Sequence, residues 1–344
     1  MSQELKYLMI IGRGRSGTSW MAGIMNTYRH CIYKYEPSLK IPYRGWFDNL
    51  NKPDAEKLRA QFEKLCLQCH HGVDMPPFLP KSFRPRNPIL LHALYALANR
   101  VKRYKSLYEW YGKPQINQAE HEISILIKQV NLPNEKLPDL CRVLNPKIVG
   151  LVRNPFANVA SHLVGVRGYL FKGARPKSPQ PDLEKGKAKS IRAKINGLLR
   201  EEIVQSGNKA FLKYSDCLEK MNLQTFAAVS WRVRVEPMVE FIENYSKGLL
   251  IVYEDMCGDP LGVSKRIFDF AGWEMTDFTK NYIKKTTTAK KIHRSTFKSY
   301  YSIFQDPRKS MNKWKTQLTD EEQRDIASVI KDSPLKKFWP DMPL

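Results

Sequence analysis

Between residues 12 and 20 the sequence GRGRSGTSW crowds two guanidiniums, Arg13 and Arg15, and three hydroxyls, Ser16, Thr18 and Ser19, among three glycines. Side chains of these types hold an anion. Gly12, Gly14 and Gly17 let the backbone turn tightly and present consecutive N–H groups, and a helix opening near Thr18 adds its positive end. The spacing fits three patterns. Gly12-x-Gly14-x-x-Gly17 satisfies a dinucleotide-binding fingerprint, with Glu36 at about the distance where that fingerprint places a ribose-binding acid. Gly12 and Gly17 also frame a Walker-like loop, but Thr18 stands where its lysine would be. The arginines favour a third pattern: guanidiniums suit terminal phosphate or sulfate oxygens, whereas dinucleotide loops keep small uncharged residues so that the backbone can approach the pyrophosphate.

Two further positions carry chemistry of the same kind. PKIVGLVRNPFANVAS, residues 146 to 161, reads as an apolar strand ending at Arg153, then Asn154 as a helix N-cap and Pro155 in the first turn, with Ser161 eight residues beyond the arginine. This is a second strand-to-helix anion site. Glu36 follows a short strand, residues 32 to 35, and a carboxylate at the C-terminal end of a strand can take a proton from a hydroxyl or amine lying over the first loop.

The elements that must position these groups alternate in type. Leu8 to Ile11 form a nearly continuous apolar run, as suits a strand covered on both faces of a parallel sheet. A second strand is expected over 32–35 and a third from 146. Helices are expected over 89–105, 195–206, 223–245 and 263–270, with a further strand over 249–253. Residues 165 to 194 are rich in Gly, Pro, Ser and Lys, with little hydrophobic periodicity, and read as a mobile lid or acceptor loop.

Arg15-Ser16-Gly17-Thr18-Ser19-Trp20 resembles the 5′-phosphosulfate loop of the sulfotransferases that use 3′-phosphoadenosine 5′-phosphosulfate (PAPS), in which a basic residue precedes Ser-Gly-Thr-Thr-Trp. Arg153 and Ser161 match that family's 3′-phosphate-binding pair. Two phosphate sites imply a ligand phosphorylated at both ends, as PAPS is. Tyr253-Glu254-Asp255-Met256, followed by Asp259-Pro260, resembles the segment whose tyrosine contacts the adenine, and Trp20 is the other expected adenine neighbour. Arg308-Lys309-Ser310, followed by Trp314-Lys315, resembles the loop that closes over the 3′-phosphate, with Ser310 in place of its glycine and one residue fewer before the tryptophan. The resemblance implies Glu36 as base, as several members place a glutamate after the first helix. The Lys-Thr-His segment of the cytosolic branch finds its nearest frame at Lys113-Pro114-Gln115, which lacks the histidine; His121 lies nearby. The family's dimer motif would start at Lys315 with Thr319 in place, but Asp320 and Arg324 depart from it.

Composition bounds the rest. Lys and Arg outnumber Asp and Glu by 57 to 34, a net charge of +23 over 344 residues, which favours anionic ligands. No zinc-finger spacing, aromatic ribonucleoprotein motif or heptad-linked basic region points to specific nucleic-acid binding. No apolar run approaches the roughly 20 residues of a membrane helix, and the chain runs from Met1 into its first strand without a signal peptide, so a cytoplasmic protein with no membrane partner is expected. Six scattered cysteines fit a reducing compartment. Cys66-Leu-Gln-Cys69-His70 spells a haem-attachment signature but falls on a helical core stripe, and neither haem nor metal is expected.

The expectation is therefore an α/β protein, one sulfotransferase domain over 1–344 with a central parallel sheet flanked by helices and a P-loop-like sulfotransferase fold. It would transfer a sulfuryl group from PAPS to a hydroxyl, or to an amine or carbamate nitrogen, of a small-molecule or saccharide acceptor, and release adenosine 3′,5′-bisphosphate (PAP). Glu36, Arg15 and Ser19 are the expected catalytic residues. Arg13, Arg15, Ser16, Gly17, Thr18, Ser19, Trp20, Arg153, Ser161, Tyr253, Arg308 and Lys309 are expected to bind the donor, without a metal. Two alternatives stay open: an NAD-dependent oxidoreductase, which would explain the glycines, and a basic nucleic-acid-binding protein, which would explain the charge. Acceptor identity and oligomeric state are left open.

Overall fold

The structure, a computed structural model, describes residues 5–83, 87–116, 123–172, 181–288 and 307–344, without the side chains of 165–192, 194 and 307. His121 lies outside the described residues, as does 173–180 of the expected lid. The chain divides into two compact units, Met1–Val152 with Val239–Arg308, and Arg153–Met238 with Lys309–Leu344.

The first unit holds the whole sheet. Its elements are β1 (Lys6–Gly12), α1 (Thr18–Met25), β2 (Cys31–Tyr35), α2 (Tyr43–Asp48), α3 (Ala55–Cys66), α4 (Pro88–Arg100), α5 (Tyr104–Gly112), β3 (Ser124–Val130), α6 (Leu137–Leu144) and β4 (Lys147–Val152). In the second unit the chain continues as α7 (Pro155–Lys172), α8 (Pro181–Ser206) and α9 (Lys209–Leu212), and α10 (Leu223–Asn244) returns it to the first. There it adds β5 (Gly248–Val252), α11 (Tyr253–Gly258), α12 (Pro260–Ala271) and α13 (Asp277–Thr288), before α14 (Pro307–Met311), α15 (Trp314–Gln317) and α16 (Asp320–Ile330).

All five strands are parallel, in the order β2-β3-β1-β4-β5. A parallel strand covered on both faces must be apolar on both, and Leu8, Met9, Ile10 and Ile11 of central β1 are all buried. The expected α/β class with a central parallel sheet is the one observed. Gly12 is registered with Val130 on one side and Leu151 on the other, so β1, β3 and β4 end at one level. The chain leaves β1 toward β2 and β3 and only then crosses to β4. The strand order thus reverses at β1, and the crevice outside the ends of β1 and β4 is where open α/β sheets bind ligands.

Several elements differ from the sequence reading. The single helix expected over 89–105 is two, because Val101 takes an extended conformation (φ −136°, ψ 111°) between α4 and α5. Strand β3 carries the short apolar run Ile125-Leu126-Ile127, a strand that sequence reasoning does not predict. The irregular stretch expected over 165–194 is helical at 165–172 and 181–194. Pro181 sits at a helix start, where its fixed φ and missing N–H cost nothing, and Leu, Glu, Lys and Ala dominate the turns that follow. Good helix formers there outweigh the absence of an apolar stripe.

Candidate functional site

In the first unit the loop after β1 is shaped by contacts that demand its glycines. A Cβ on Gly12 would stand 2.8 Å from the Leu151 carbonyl oxygen of neighbouring β4. Gly17 has φ +93°, and a Cβ there would lie 2.4 Å from the Tyr253 ring. Arg15 is also left-handed, at φ 74°, a conformation uncommon outside glycine and concentrated at functional sites. The Ser16 N–H donates to the Arg13 carbonyl at 3.2 Å, and Trp20 and Met21 N–H both reach the Gly17 carbonyl as α1 begins. Arg13, Ser16 and Thr18 are buried; Gly14, Arg15, Gly17 and Ser19 are half-buried. An anion held at this turn would meet backbone N–H groups and the positive end of α1 together.

Tyr253, the first residue of α11, closes one side of the loop. Its ring lies edge-on to Trp20, with centroids 6.3 Å apart and 76° between planes, and the Trp20 indole N–H donates to Thr286 Oγ1 at 3.1 Å. The structure thus brings Tyr253 against Gly17 and Trp20, far from it in sequence.

The other side is built by β2 and β3. Glu36 follows β2 with φ 44° and ψ 54°, and its N–H donates to the Lys128 carbonyl at 2.7 Å. Its carboxylate forms an ion pair with the Lys128 ammonium. Lys128 is nearly fully buried and stands 4.2 Å from the centroid of the Tyr35 ring. Burial lowers the Lys128 pKa, and the Glu36 charge works against that shift. Burial pushes the Tyr35 phenol up, as does Glu36, while the Ser19 hydroxyl and Arg15 pull it down. Glu36, Tyr35, Lys128, Ser19 and Arg15 therefore share one electrostatic neighbourhood.

Sequence reasoning missed Lys128 and Asn131. Asn131, just beyond β3 and itself at φ 49°, donates its N–H to the Gly12 carbonyl at 3.1 Å, and its Oδ1 accepts from the Gly14 N–H at 3.0 Å. It fastens the anion loop at both glycines. The signal was the polar Lys128 directly after the largely apolar residues 123–127, and recognising it required reading 124–130 as a strand. Lys113, the frame suggested by the family's Lys-Thr-His segment, is exposed just past the end of α5.

In the second unit Arg153, largely buried, donates from Nη2 to the Ser310 carbonyl at 3.0 Å. Asn154 caps α7, its Oδ1 accepting from the Ala157 N–H at 3.2 Å, and Ser161 is half-buried two turns further along. Phe156 packs on Trp314 with centroids 4.9 Å apart. The 153–161 segment and the Ser310–Trp314 segment, matched separately in sequence, therefore meet. Lys309 is exposed; Arg308, also exposed, ends the first unit. Thr319 and Glu322 form a capping box on α16.

The model of the sulfotransferase domain family matches residues 5–338. No curated protein matches the sequence. Among solved structures, the chain is similar to the sulfotransferase domain from the Synechococcus PCC 7002 olefin synthase, at 14% identity over 96% of this chain and 94% of that one, with a TM-score of 0.46. It is also similar to the sulfotransferase domain from the curacin biosynthetic pathway, at 14% identity over 96% and 99% and a TM-score of 0.44. Mouse sulfotransferase SULT7A1 complexed with PAP follows at 15% identity over 97% and 87%, with a TM-score of 0.42. Among the described residues no helix is long and apolar enough to cross a membrane.

Proposed function

This chain belongs to the sulfotransferase domain family, whose chemistry is sulfuryl transfer, and from that premise we propose that its donor is PAPS, that PAP is the product, and that the whole chain works as one transferase domain. The observation that carries the reading is the loop after β1, where arginine, hydroxyl and backbone donors converge at a helix start beside the switch point of a parallel sheet.

In the proposed reaction the acceptor is a hydroxyl, or an amine or carbamate nitrogen, of a small molecule or saccharide. Glu36 takes the acceptor proton as the acceptor atom bonds to sulfur, and the bond from sulfur to the 5′-phosphate oxygen breaks. Arg15 and Ser19 stabilise the charge that develops on the leaving phosphate oxygen, with Arg13, Ser16, Gly17 and Thr18 holding the rest of the 5′ group. Arg153 and Ser161 bind the 3′-phosphate with Arg308 and Lys309, while Trp20 and Tyr253 flank the adenine. Residues 165–194 serve as a lid or as an acceptor loop. The proposal requires no metal, since arginines take the charge-neutralising role that magnesium has in phosphoryl transfer. It also places the protein in the cytoplasm.

A thermal-shift series with PAP, NAD and ATP tests the donor. PAP should raise the melting temperature where NAD does not; stabilisation by NAD alone would return the glycine loop to the dinucleotide reading. Salt-sensitive DNA or RNA binding that PAP cannot displace would support the nucleic-acid reading instead. Incubation with labelled PAPS and an extract, with mass detection of the labelled product, then identifies the acceptor.

A further inference from the structure

Helices α4 and α5, joined by a short turn, expose apolar side chains of a size usually buried. Ile89 is 77% exposed and Trp110 64%, and Leu90, Leu97, Val101 and Leu107 are also exposed. On α4 the inward face is Leu91, Leu94 and Ala98, which pack with Phe78 and Tyr108. Leu90 and Leu97, two turns apart, share an outward flank that Ile89 and Ala93 extend, so the apolar band wraps well beyond the core-facing stripe. On α5 Tyr108 faces inward, while Leu107 and Trp110, one turn apart, are exposed. Exposed large apolar residues gathered on one hairpin mark an interaction surface rather than ordinary scatter.

Charge says what the surface fits. Residues 88–116 contain five cations, Arg100, Lys102, Arg103, Lys105 and Lys113, against one acid, Glu109. All five cations are exposed. Glu109 instead accepts from the His71 N–H at 3.0 Å and is paired with Lys105 at 3.8 Å. Basic side chains at the turn between two helices that expose Leu, Ile, Val and Trp are the makings of a surface that inserts shallowly among anionic headgroups.

We propose that the α4–α5 hairpin docks the protein on anionic lipid surfaces, with Ile89, Leu97 and Trp110 entering the headgroup boundary and the cations of the turn meeting lipid phosphates. This departs from the expectation of no membrane partner, which rested on the lack of a spanning segment; surface docking needs none. It is independent of the donor and acceptor assigned above.

Flotation of the full chain with vesicles tests it, at about 0.15 M salt, where weak surface attraction is largely screened. Vesicles of phosphatidylcholine with about one third phosphatidylglycerol should carry the protein, and pure phosphatidylcholine vesicles should not. The double variant Leu97→Asn/Trp110→Ser keeps the net charge and alters only exposed side chains, so its melting temperature should stay near that of the parent. Its binding to the anionic vesicles should fall by about tenfold or more. No binding by the parent, or equal binding by parent and variant, would overturn the proposal, the latter by assigning adsorption to charge elsewhere on the chain. Sedimentation showing that these substitutions instead dissolve a dimer would assign the face to a second copy and overturn it too.

Discussion

The Lys128 ammonium is paired with the Glu36 carboxylate, although 92 residues separate them in sequence. Adjacent parallel strands make the contact: β2 and β3 run in register to Tyr35 and Lys128, and Glu36 turns left-handed immediately beyond. The proposed base is thus held from two directions, by its own N–H on the Lys128 carbonyl and by its carboxylate on the Lys128 side chain.

Two groups held this way should act as one in kinetics. Glu36→Gln and Lys128→Met are each expected to lower kcat by on the order of a hundredfold, with the double variant little worse than either single one. Losses that multiply in the double variant would show that the residues act independently. PAP affinity, measured alongside, should change little, because neither side chain is assigned to the nucleotide.

Gly17 tests the loop. An alanine there must place a Cβ 2.4 Å from the Tyr253 ring while holding φ at +93°. The expected costs are about 1–3 kcal/mol of stability, read by denaturant unfolding, and a large loss of PAP affinity. Adding Tyr253→Ala would remove the clash but not the backbone strain, and would also delete the buried ring assigned to the adenine, so PAP affinity should stay low in the pair. An unaltered Gly17→Ala protein would mean that the loop does not adopt this turn.

His70 gives stability a pH dependence. Burial is the largest cause of its lowered pKa, reinforced by Lys34, whose ammonium makes a buried ion pair with Asp74 at 3.0 Å; Asp74 and Glu109 pull the other way. A histidine whose folded pKa lies below its ordinary value of 6.5 binds its proton more readily when unfolded. Its contribution is therefore fully present above about pH 6.5 and is lost as the pH falls through the folded value. Urea unfolding at a series of pH values from neutral downward should show stability declining below that point, and less steeply in His70→Gln. Parallel profiles would remove His70 as the cause.

Much of this was legible before any coordinates. The glycines and arginines of 12–20 locate the anion loop because few other arrangements need those residue types together. Asn154 and Pro155 mark a helix start beside Arg153 because capping chemistry is local. Lys128 and Asn131 were not legible, since their importance comes from strand register: Lys128 is polar in an apolar strand, and only the pairing of β2 with β3 gives it Glu36 as a partner. The helices at 165–172 and 181–194 were hidden for the opposite reason. Residues 165–172 continue α7 despite two glycines, and 181–194 hold good helix formers but little apolar periodicity to find.

The central claim is that one bisphosphorylated adenosine is held by the loop after β1 and by the Arg153 segment. Calorimetric titration of PAP into the parent chain, Arg15→Ala and Arg153→Ala tests it most directly. The account predicts one site per chain, weakened by on the order of tenfold or more in each variant, since each loses charge-assisted hydrogen bonds to a phosphate. Parent protein that does not bind PAP, or variants that bind it as the parent does, would contradict the account.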